Sequence, residues 1–155
     1  MLAYKHANLE RTHIMLKILV PMDGSDNSSR VVDYVIGLVA KSKQTEVHLI
    51  TVRDPMDSLQ VHRFWTDEQI RAFNQEAGNF ALQAARKRLD DAGIPYTAHI
   101  AIGEIAQTIA EYAKEQHCDM IAMGTRGMGT IGSLLMGSVA TKVVHLASVP
   151  VTLVK

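Results

Sequence analysis

Five short runs, four of them mainly aliphatic and one alternating between polar and apolar residues, constrain the fold of this chain more than any other feature, and longer amphipathic segments separate them. The runs lie at residues 18–20, 47–52, 96–102, 119–123 and 150–154. Runs of this length bounded by Gly, Pro or Asp are typical of strands in a buried sheet. Because they alternate with segments of helical periodicity, they predict an α/β domain whose parallel sheet has helices on both faces.

The segments between the runs predict four helices, at residues 26–40, 67–92, 104–116 and 138–147. Ser25 or Asp26 is expected to cap the first helix. The predicted apolar face of the second helix is formed by Ile70, Phe73, Ala77, Phe80, Ala81, Ala84 and Leu89. The segment from Asp54 to Thr66 has no clear period and is interpreted as a connection or flap.

Length and charge narrow the class of protein. At 155 residues the chain fits one domain, predicted to span 15–155 after a tail at 1–14 that lacks periodicity. Lys and Arg number 16 against 16 Asp and Glu, which gives no reason to expect nucleic acid or an anionic membrane as a partner. Lys142, His145 and Pro150 interrupt the most apolar long segment, which argues against a membrane span. A cytoplasmic location is therefore expected.

The cysteine and histidine content argues against a metal centre. The single cysteine, Cys118, excludes an internal disulfide, and a buried thiol is favoured over a reactive one. The seven histidines show no H-x3-H spacing and have no cysteine pair nearby. A metal site formed by protein side chains alone is not expected.

The stretch from Met123 to Ala140 carries the main functional signal. It follows the fourth predicted strand, is rich in glycine and leads into a helix that begins at Ser138. Glycine lets the backbone approach a ligand closely, and the first N–H groups of a helix have no partner within it. The stretch therefore predicts an anion site, with a flexible surface turn as the alternative.

The sheet topology suggests what else would lie near this stretch. Ligands of open parallel sheets bind beyond the carboxyl ends of strands. If strands one and four are neighbours, Asp23 shares a crevice with the glycine-rich loop and could accept a hydrogen bond from a ribose hydroxyl. A turn or helix-entry role is the alternative for Asp23. Arg126 could contact a phosphate or point to solvent, and the sequence favours neither.

Gly124, Gly127, Gly137 and Ser138 fit the pattern G-x2-G-x9-G-[ST], which resembles the ATP-binding motif of the universal stress protein family. The opening residues from Ile18 to Ser25 and the closing ones from Val149 to Val151 resemble that family too. The resemblance covers about residues 15–155. It implies a Rossmann-like open sheet of five parallel strands in the order 3-2-1-4-5, similar to that of the adenine nucleotide alpha hydrolases.

The resemblance also implies the residues that hold the nucleotide. Those matching the family's ribose and base contacts are Pro21, Met22, Asp23 and Val52. Those that run along the ribose and phosphates are Met123, Gly124, Thr125, Arg126, Gly127, Met128, Gly129 and Thr130. Those that hold the phosphates from the helix start are Gly137, Ser138, Val139 and Ala140. The implied cofactor is ATP, with AMP or ADP as alternatives and with Mg²⁺ or Mn²⁺ carried by the nucleotide.

The same resemblance implies a homodimer that pairs the last strand, Val151–Val154, with its copy, and leaves a protein partner unidentified. Catalysis is not expected to be efficient, because no G-x4-G-K-[ST] loop occurs and no lysine lies between Gly124 and Ser138. The sequence thus indicates an ATP-binding factor in stress response or signalling, with at most slow hydrolysis. The alternative is a nucleotide-independent protein-interaction module of the same fold.

Overall fold

The alternation of strands and helices is confirmed in a computed structural model, which describes residues 15–41, 44–55, 63–126 and 136–155. The elements in chain order are β1 (Leu16–Pro21), α1 (Asp26–Lys41), β2 (Thr45–Arg53), α2 (Asp67–Asp91), β3 (Tyr96–Ile102), α3 (Ile105–Glu115), β4 (Met120–Gly124), α4 (Ser138–Leu146) and β5 (Val151–Val154). The predicted tail at 1–14 and most of the segment from Asp54 to Thr66 lie outside the described residues.

The strands form one parallel sheet in the order β3-β2-β1-β4-β5, as the family resemblance implied. At the centre of the sheet, Ile18 of β1 pairs with Val47 of β2 on one side and with Met120 of β4 on the other. The connections leave β1 and β4 towards different edges of the sheet. The carboxyl ends of these two strands therefore meet at the point where ligands of such sheets bind.

Both faces of the sheet are covered by helices. Ile18 and Val20 pack with Val35 of α1 and Leu82 of α2, while Leu19 packs with the α3 and α4 layer on the opposite face. Successive side chains of a strand point to opposite faces, so an unbroken aliphatic run is buried on both. Among the described residues, no helix has both the length and the apolarity needed to cross a bilayer.

The predicted apolar face of α2 is partly wrong. The side of α2 that is buried consists of Asn74, Gly78, Ala81, Leu82, Ala85 and Leu89. Phe73 and Phe80 are instead 38% and 76% exposed. The reason is close packing: a Cβ atom on Gly78 would lie 2.6 Å from Cγ2 of Ile100 in β3. The helix approaches the sheet through its small residues and turns its aromatic residues outwards.

This close approach predicts opposite effects for two glycine-to-alanine changes. Gly78→Ala should lower the free energy of unfolding by about 1–3 kcal/mol, because the added methyl group overpacks against Ile100. Gly37→Ala in α1 should raise it by about 0.5–1 kcal/mol, since a Cβ there meets nothing within 4 Å and alanine favours helix. Urea unfolding of both variants tests this, and changes of the same sign would contradict it.

A buried histidine links the middle of the sheet to α3. The ring of His48 is only 4% exposed. Its Nδ1 lies 3.1 Å from the hydroxyl of Tyr112, and its Nε2 lies 2.7 Å from Oε1 of Glu46. The hydrogen bond from His48 lowers the pKa of Glu46, and the ammonium of Lys17, 3.6 Å away, acts in the same direction. Cys118 is 4% exposed, which confirms the predicted burial of its thiol, and this burial raises the pKa of Cys118 to about 11.

The lowered pKa of Glu46 predicts a pH-dependent contribution to stability. A carboxylate whose pKa is lower in the folded state stabilises the fold at neutral pH and loses that effect as pH falls through the lowered pKa. Glu46→Gln should therefore cost less than about 1 kcal/mol at pH 7, because the carboxylate is 35% exposed and screened by solvent. The difference between the two proteins should shrink as pH falls below the ordinary carboxyl value of 4.5 and disappear once pH lies below the lowered pKa of Glu46. Urea unfolding across pH tests this, and a gap that widens in acid would contradict it.

Candidate functional site

A cleft of about 190 Å³ lies at the carboxyl ends of β1, β2 and β4, between α3 and the start of α4. The residues that line it are Pro21, Met22, Asp23, Ser28, Ile50, Val52, Ile105, Ile109, Met123, Gly124, Thr125, Arg126, Gly137, Val139 and Ala140. The cleft thus lies where the topology of an open parallel sheet favours a ligand.

Most of the residues singled out from the sequence come together here. Those that line the cleft are Pro21, Met22, Asp23, Val52, Met123, Gly124, Thr125, Arg126, Gly137, Val139 and Ala140. Ser138 is exposed and is not among the lining residues. Gly127, Met128, Gly129 and Thr130 lie outside the described residues. The structure therefore brings the strand ends and the helix start to one place and leaves the middle of the loop undescribed.

The turn after β1 fixes the carboxylate of Asp23 at the wall of the cleft. Oδ1 of Asp23 accepts hydrogen bonds from the backbone N–H of Ser25, at 3.0 Å, and from its hydroxyl, at 2.6 Å. The same hydroxyl accepts from the N–H of Ser28 at 3.2 Å, so Ser25 and not Asp26 caps α1. Gly24 between them has φ +81°, a conformation that glycine adopts without strain. The turn and the helix cap thus act together to fix the position of the Asp23 carboxylate.

The two ends of the glycine-rich stretch are joined by backbone hydrogen bonds. The N–H of Gly137 donates to the carbonyl of Thr125 at 2.7 Å, and the N–H of Thr125 donates to the carbonyl of Val154 at 3.1 Å. At Gly124 a Cβ atom would lie 3.2 Å from the carbonyl oxygen of Arg126 and 3.5 Å from Cβ of Asn27. The end of β4 is therefore packed closely against α1 and against the start of α4.

The start of α4 is electrostatically suited to an anion. Its N-cap is Gly137, which supplies no side-chain hydrogen bond, and its first turn contains no acidic residue. The helix N-terminus carries a partial positive charge, and its first N–H groups lack partners within the helix. Neither a cap side chain nor a carboxylate of that turn competes with a ligand for them.

The opposite end of the cleft is apolar and includes residues that sequence reasoning missed. Ile105 and Ile109 of α3 line it together with Ile50 and Val52 of β2, and Ser28 of α1 also lines the wall. The spacing of the two α3 isoleucines places them on the predicted buried face, where a residue that borders a cleft looks the same as a core residue. At these positions the sequence does not show whether a residue belongs to the core or borders a cleft.

The titratable groups that line the cleft are Asp23 and Arg126. Within the described ranges, no group of three or more His, Cys, Asp or Glu residues is arranged to hold a metal ion. The lining can thus hold a flat apolar group at one end and an anion at the other, and it presents a single carboxylate between them.

Known proteins match this chain along its length. A model of the universal stress protein family matches residues 15–155. A universal stress protein of the archaeon Methanocaldococcus jannaschii is 35% identical over 141 residues, which cover 90% of this chain and 81% of the relative. The solved structure of a second universal stress protein of that organism has a TM-score of 0.78 at 27% identity and covers 91% of this chain and 96% of its own. A universal stress protein of Arabidopsis thaliana, solved with AMP bound, has a TM-score of 0.64 at 19% identity and covers 90% of this chain and 91% of its own.

Proposed function

This chain belongs to the universal stress protein family, and we propose that it binds ATP in the described cleft and uses nucleotide occupancy as a signal in stress response. The observation that carries the proposal is the division of the cleft into an apolar end, a carboxylate and a helix start whose cap makes no side-chain hydrogen bond. These three parts follow the order of base, ribose and phosphates in a nucleotide.

The apolar end suits adenine. Isoleucine and valine side chains from α3 and β2 line this end of the cleft, and an apolar lining of this kind suits a flat ring. The volume of the cleft also limits how much of the ligand it encloses. At about 190 Å³ the cleft is smaller than the roughly 300–1,000 Å³ of clefts that bury a whole drug-sized ligand. The base and ribose would be enclosed, while the phosphates extend past Gly137 along the glycine-rich stretch.

The phosphates would be held by the backbone and by Arg126, and the metal by the nucleotide. The first N–H groups of α4 have no competing acceptor from their own cap, and Arg126 lines the same end of the cleft. A single lining carboxylate, Asp23, is too small a donor set for a divalent cation. Mg²⁺ or Mn²⁺ would therefore arrive with the phosphates and neutralise their charge. AMP bound to the Arabidopsis thaliana protein supports adenine nucleotides as the ligands to test first.

Equilibrium dialysis of labelled ATP with Mg²⁺ tests the proposal. A dissociation constant in the micromolar range is expected, and AMP and ADP should compete for the same site. No detectable binding at about millimolar ATP would contradict the proposal. The protein should first be freed of any nucleotide that copurifies with it, since a retained ligand would mask the site.

The placement of Asp23 predicts a preference for intact ribose. If its carboxylate accepts a hydrogen bond from a ribose hydroxyl, wild-type protein should bind ATP about tenfold or more tightly than 2′,3′-dideoxy-ATP, which has neither hydroxyl. Asp23→Ala should weaken ATP binding and bring this ratio close to one. The two nucleotides are compared by competition dialysis. A ratio unchanged in the variant would move Asp23 to a purely structural role in the turn that it forms with Ser25.

Turnover should be slow. Among the described lining residues Asp23 is the one carboxylate, and the proposal places it at the ribose, away from a water molecule that attacks the γ-phosphate. ATP hydrolysis is therefore expected at less than about one turnover per minute.

We propose that two copies of the chain form a homodimer through β5. This strand is the edge strand next to β4, and its side chains are half-buried in one copy.

A further inference from the structure

Four exposed aromatic side chains lie on α2 and in the short segment just before it. All three phenylalanines and the single tryptophan lie between residues 64 and 80. The exposed fractions are 81% for Phe64, 41% for Trp65, 38% for Phe73 and 76% for Phe80. Contiguous exposed apolar patches mark interaction sites, and aromatic residues are enriched at protein interfaces relative to the rest of the surface.

The part of this cluster within the helix forms a second apolar stripe beside the buried one. We define the α2 stripe as Ile70, Phe73, Ala77, Phe80 and Ala84. Its spacing alternates between three and four residues, which is the spacing that lines one helix up along another. From Phe73 to Ala84 its side chains alternate between large and small. The stripe therefore has the pattern of a helix-packing surface without a helix on it among the described residues.

We infer that the α2 stripe pairs with the α2 stripe of a second copy of this chain, in an antiparallel and two-fold symmetric arrangement. Two-fold symmetry requires each surface to complement itself. The register that sets Ala77 of one copy opposite Phe80 of the other also sets Phe73 opposite Ala84. Every phenylalanine of the stripe then faces an alanine of the partner, and both contacts occur twice.

The structure provides the space into which the partner's ring would fit. A groove of about 410 Å³ adjoins Ala77 and Ala81, and its other walls include Phe73, Arg53 and the Asp23–Gly24 turn. Phe80 of the second copy, placed opposite Ala77, would enter this groove beside the guanidinium of Arg53. Nε of Arg53 is buried and has no hydrogen-bond partner among the residues that the structure describes, and an arginine beside an aromatic ring gains from the cation–π interaction.

The charges near the stripe fit this register. Glu76 flanks the stripe, and in the antiparallel arrangement it lies level with Ala81 of the other copy rather than with the second Glu76. Lys87, which continues the stripe after Ala84 and pairs with Asp91 within one copy, would lie opposite Ile70 and one turn from Asp67 of the other. Lys87 of each copy is thus placed near the acidic first turn of the other, which contains Asp67 and Glu68.

The apolar area that the two α2 stripes can bury between them limits how strongly the two copies associate. A whole aromatic side chain offers about 150–250 Å², so the exposed parts of Phe73 and Phe80 contribute roughly 200 Å² per copy. The two copies together would contribute roughly 400 Å², which is well below the roughly 1,200–2,000 Å² of total area buried in a standard stable interface. Association through the stripe should therefore be weak and depend on protein concentration, in addition to any pairing through β5.

Sedimentation velocity of the full chain from about 10 to about 500 µM tests the inference. Wild-type protein should show a concentration-dependent association step that Phe80→Ala weakens about tenfold or more. Phe64→Ala is the matched control, because Phe64 is as exposed as Phe80 but lies outside the stripe. Wild-type protein with no such step, or equal association constants for Phe80→Ala and wild type, would overturn the inference and leave a different partner for the aromatic residues.

A second pair of variants separates complementary pairing from general stickiness. Ala77→Phe makes the surface more apolar but sets phenylalanine against phenylalanine, so it should weaken association. Ala77→Phe combined with Phe80→Ala restores a large residue opposite a small one and should recover association. Stronger association of Ala77→Phe alone, or failure of the double variant to recover, would overturn the two-fold register.

Discussion

Gly137→Val should weaken ATP binding by at least about 100-fold while the protein stays folded. Gly137 is buried, lines the cleft and is the N-cap of α4, so a side chain there takes space that the phosphates need. Its φ of −74° and ψ of 162° are ordinary for valine, and its hydrogen bond to the carbonyl of Thr125 uses only the backbone. The change therefore acts on the ligand and not on the backbone conformation. Dialysis of labelled ATP measures the loss, and circular dichroism checks the fold.

The matched control is Gly37→Val. Gly37 lies in the exposed part of α1, and a Cβ atom there meets nothing within 4 Å. ATP binding by this variant should equal that of wild type. Wild-type affinity in Gly137→Val would contradict the placement of the phosphates at the start of α4. Loss of the fold in Gly137→Val would instead assign this glycine a structural role.

Leu49→Ala should lower the free energy of unfolding by about 2–5 kcal/mol, which is a large share of the roughly 5–15 kcal/mol of a typical domain. Leu49 is fully buried in β2, where it pairs with Val20 of β1 and with Ala98 of β3. The alanine side chain would leave a cavity that strands paired on both sides cannot close. Chemical unfolding at neutral pH measures the change.

Leu146→Ala removes the same atoms from an exposed position. Leu146 is the last residue of α4 and is 53% exposed, so its loss should change stability by less than about 0.5 kcal/mol. Equal effects of the two leucine variants would contradict the assignment of the core to the two faces of this sheet.

The elements of the fold could be predicted from local patterns, and their arrangement could not. Period and turn residues located the strands and helices close to their observed bounds. Strand order depends on contacts between distant segments, such as Leu19 with Ile121, and local periodicity does not report these. The order was implied by the glycine motif and the residues around Asp23, through their resemblance to a family.

The face of α2 and the apolar end of the cleft show where pattern reasoning stops. Helical spacing identified apolar residues on α2 but could not tell that Gly78, by allowing close approach to Ile100, would turn Phe80 outwards. In α3, Ile105 and Ile109 follow the spacing of core residues whether the space beside them is filled by protein or by a ligand. Both distinctions depend on tertiary packing.

Methyl NMR of isoleucine-labelled protein during titration with ATP and Mg²⁺ can show whether an adenine nucleotide occupies the described cleft. Ile50, Ile105 and Ile109 line the cleft, whereas Ile36, Ile94 and Ile100 pack in the core on the opposite face of the sheet. Saturable shifts are expected for the first three methyl signals and small changes for the other three. Shifts confined to Ile36, Ile94 and Ile100, or unchanged spectra at about millimolar ATP, would contradict nucleotide binding in this cleft.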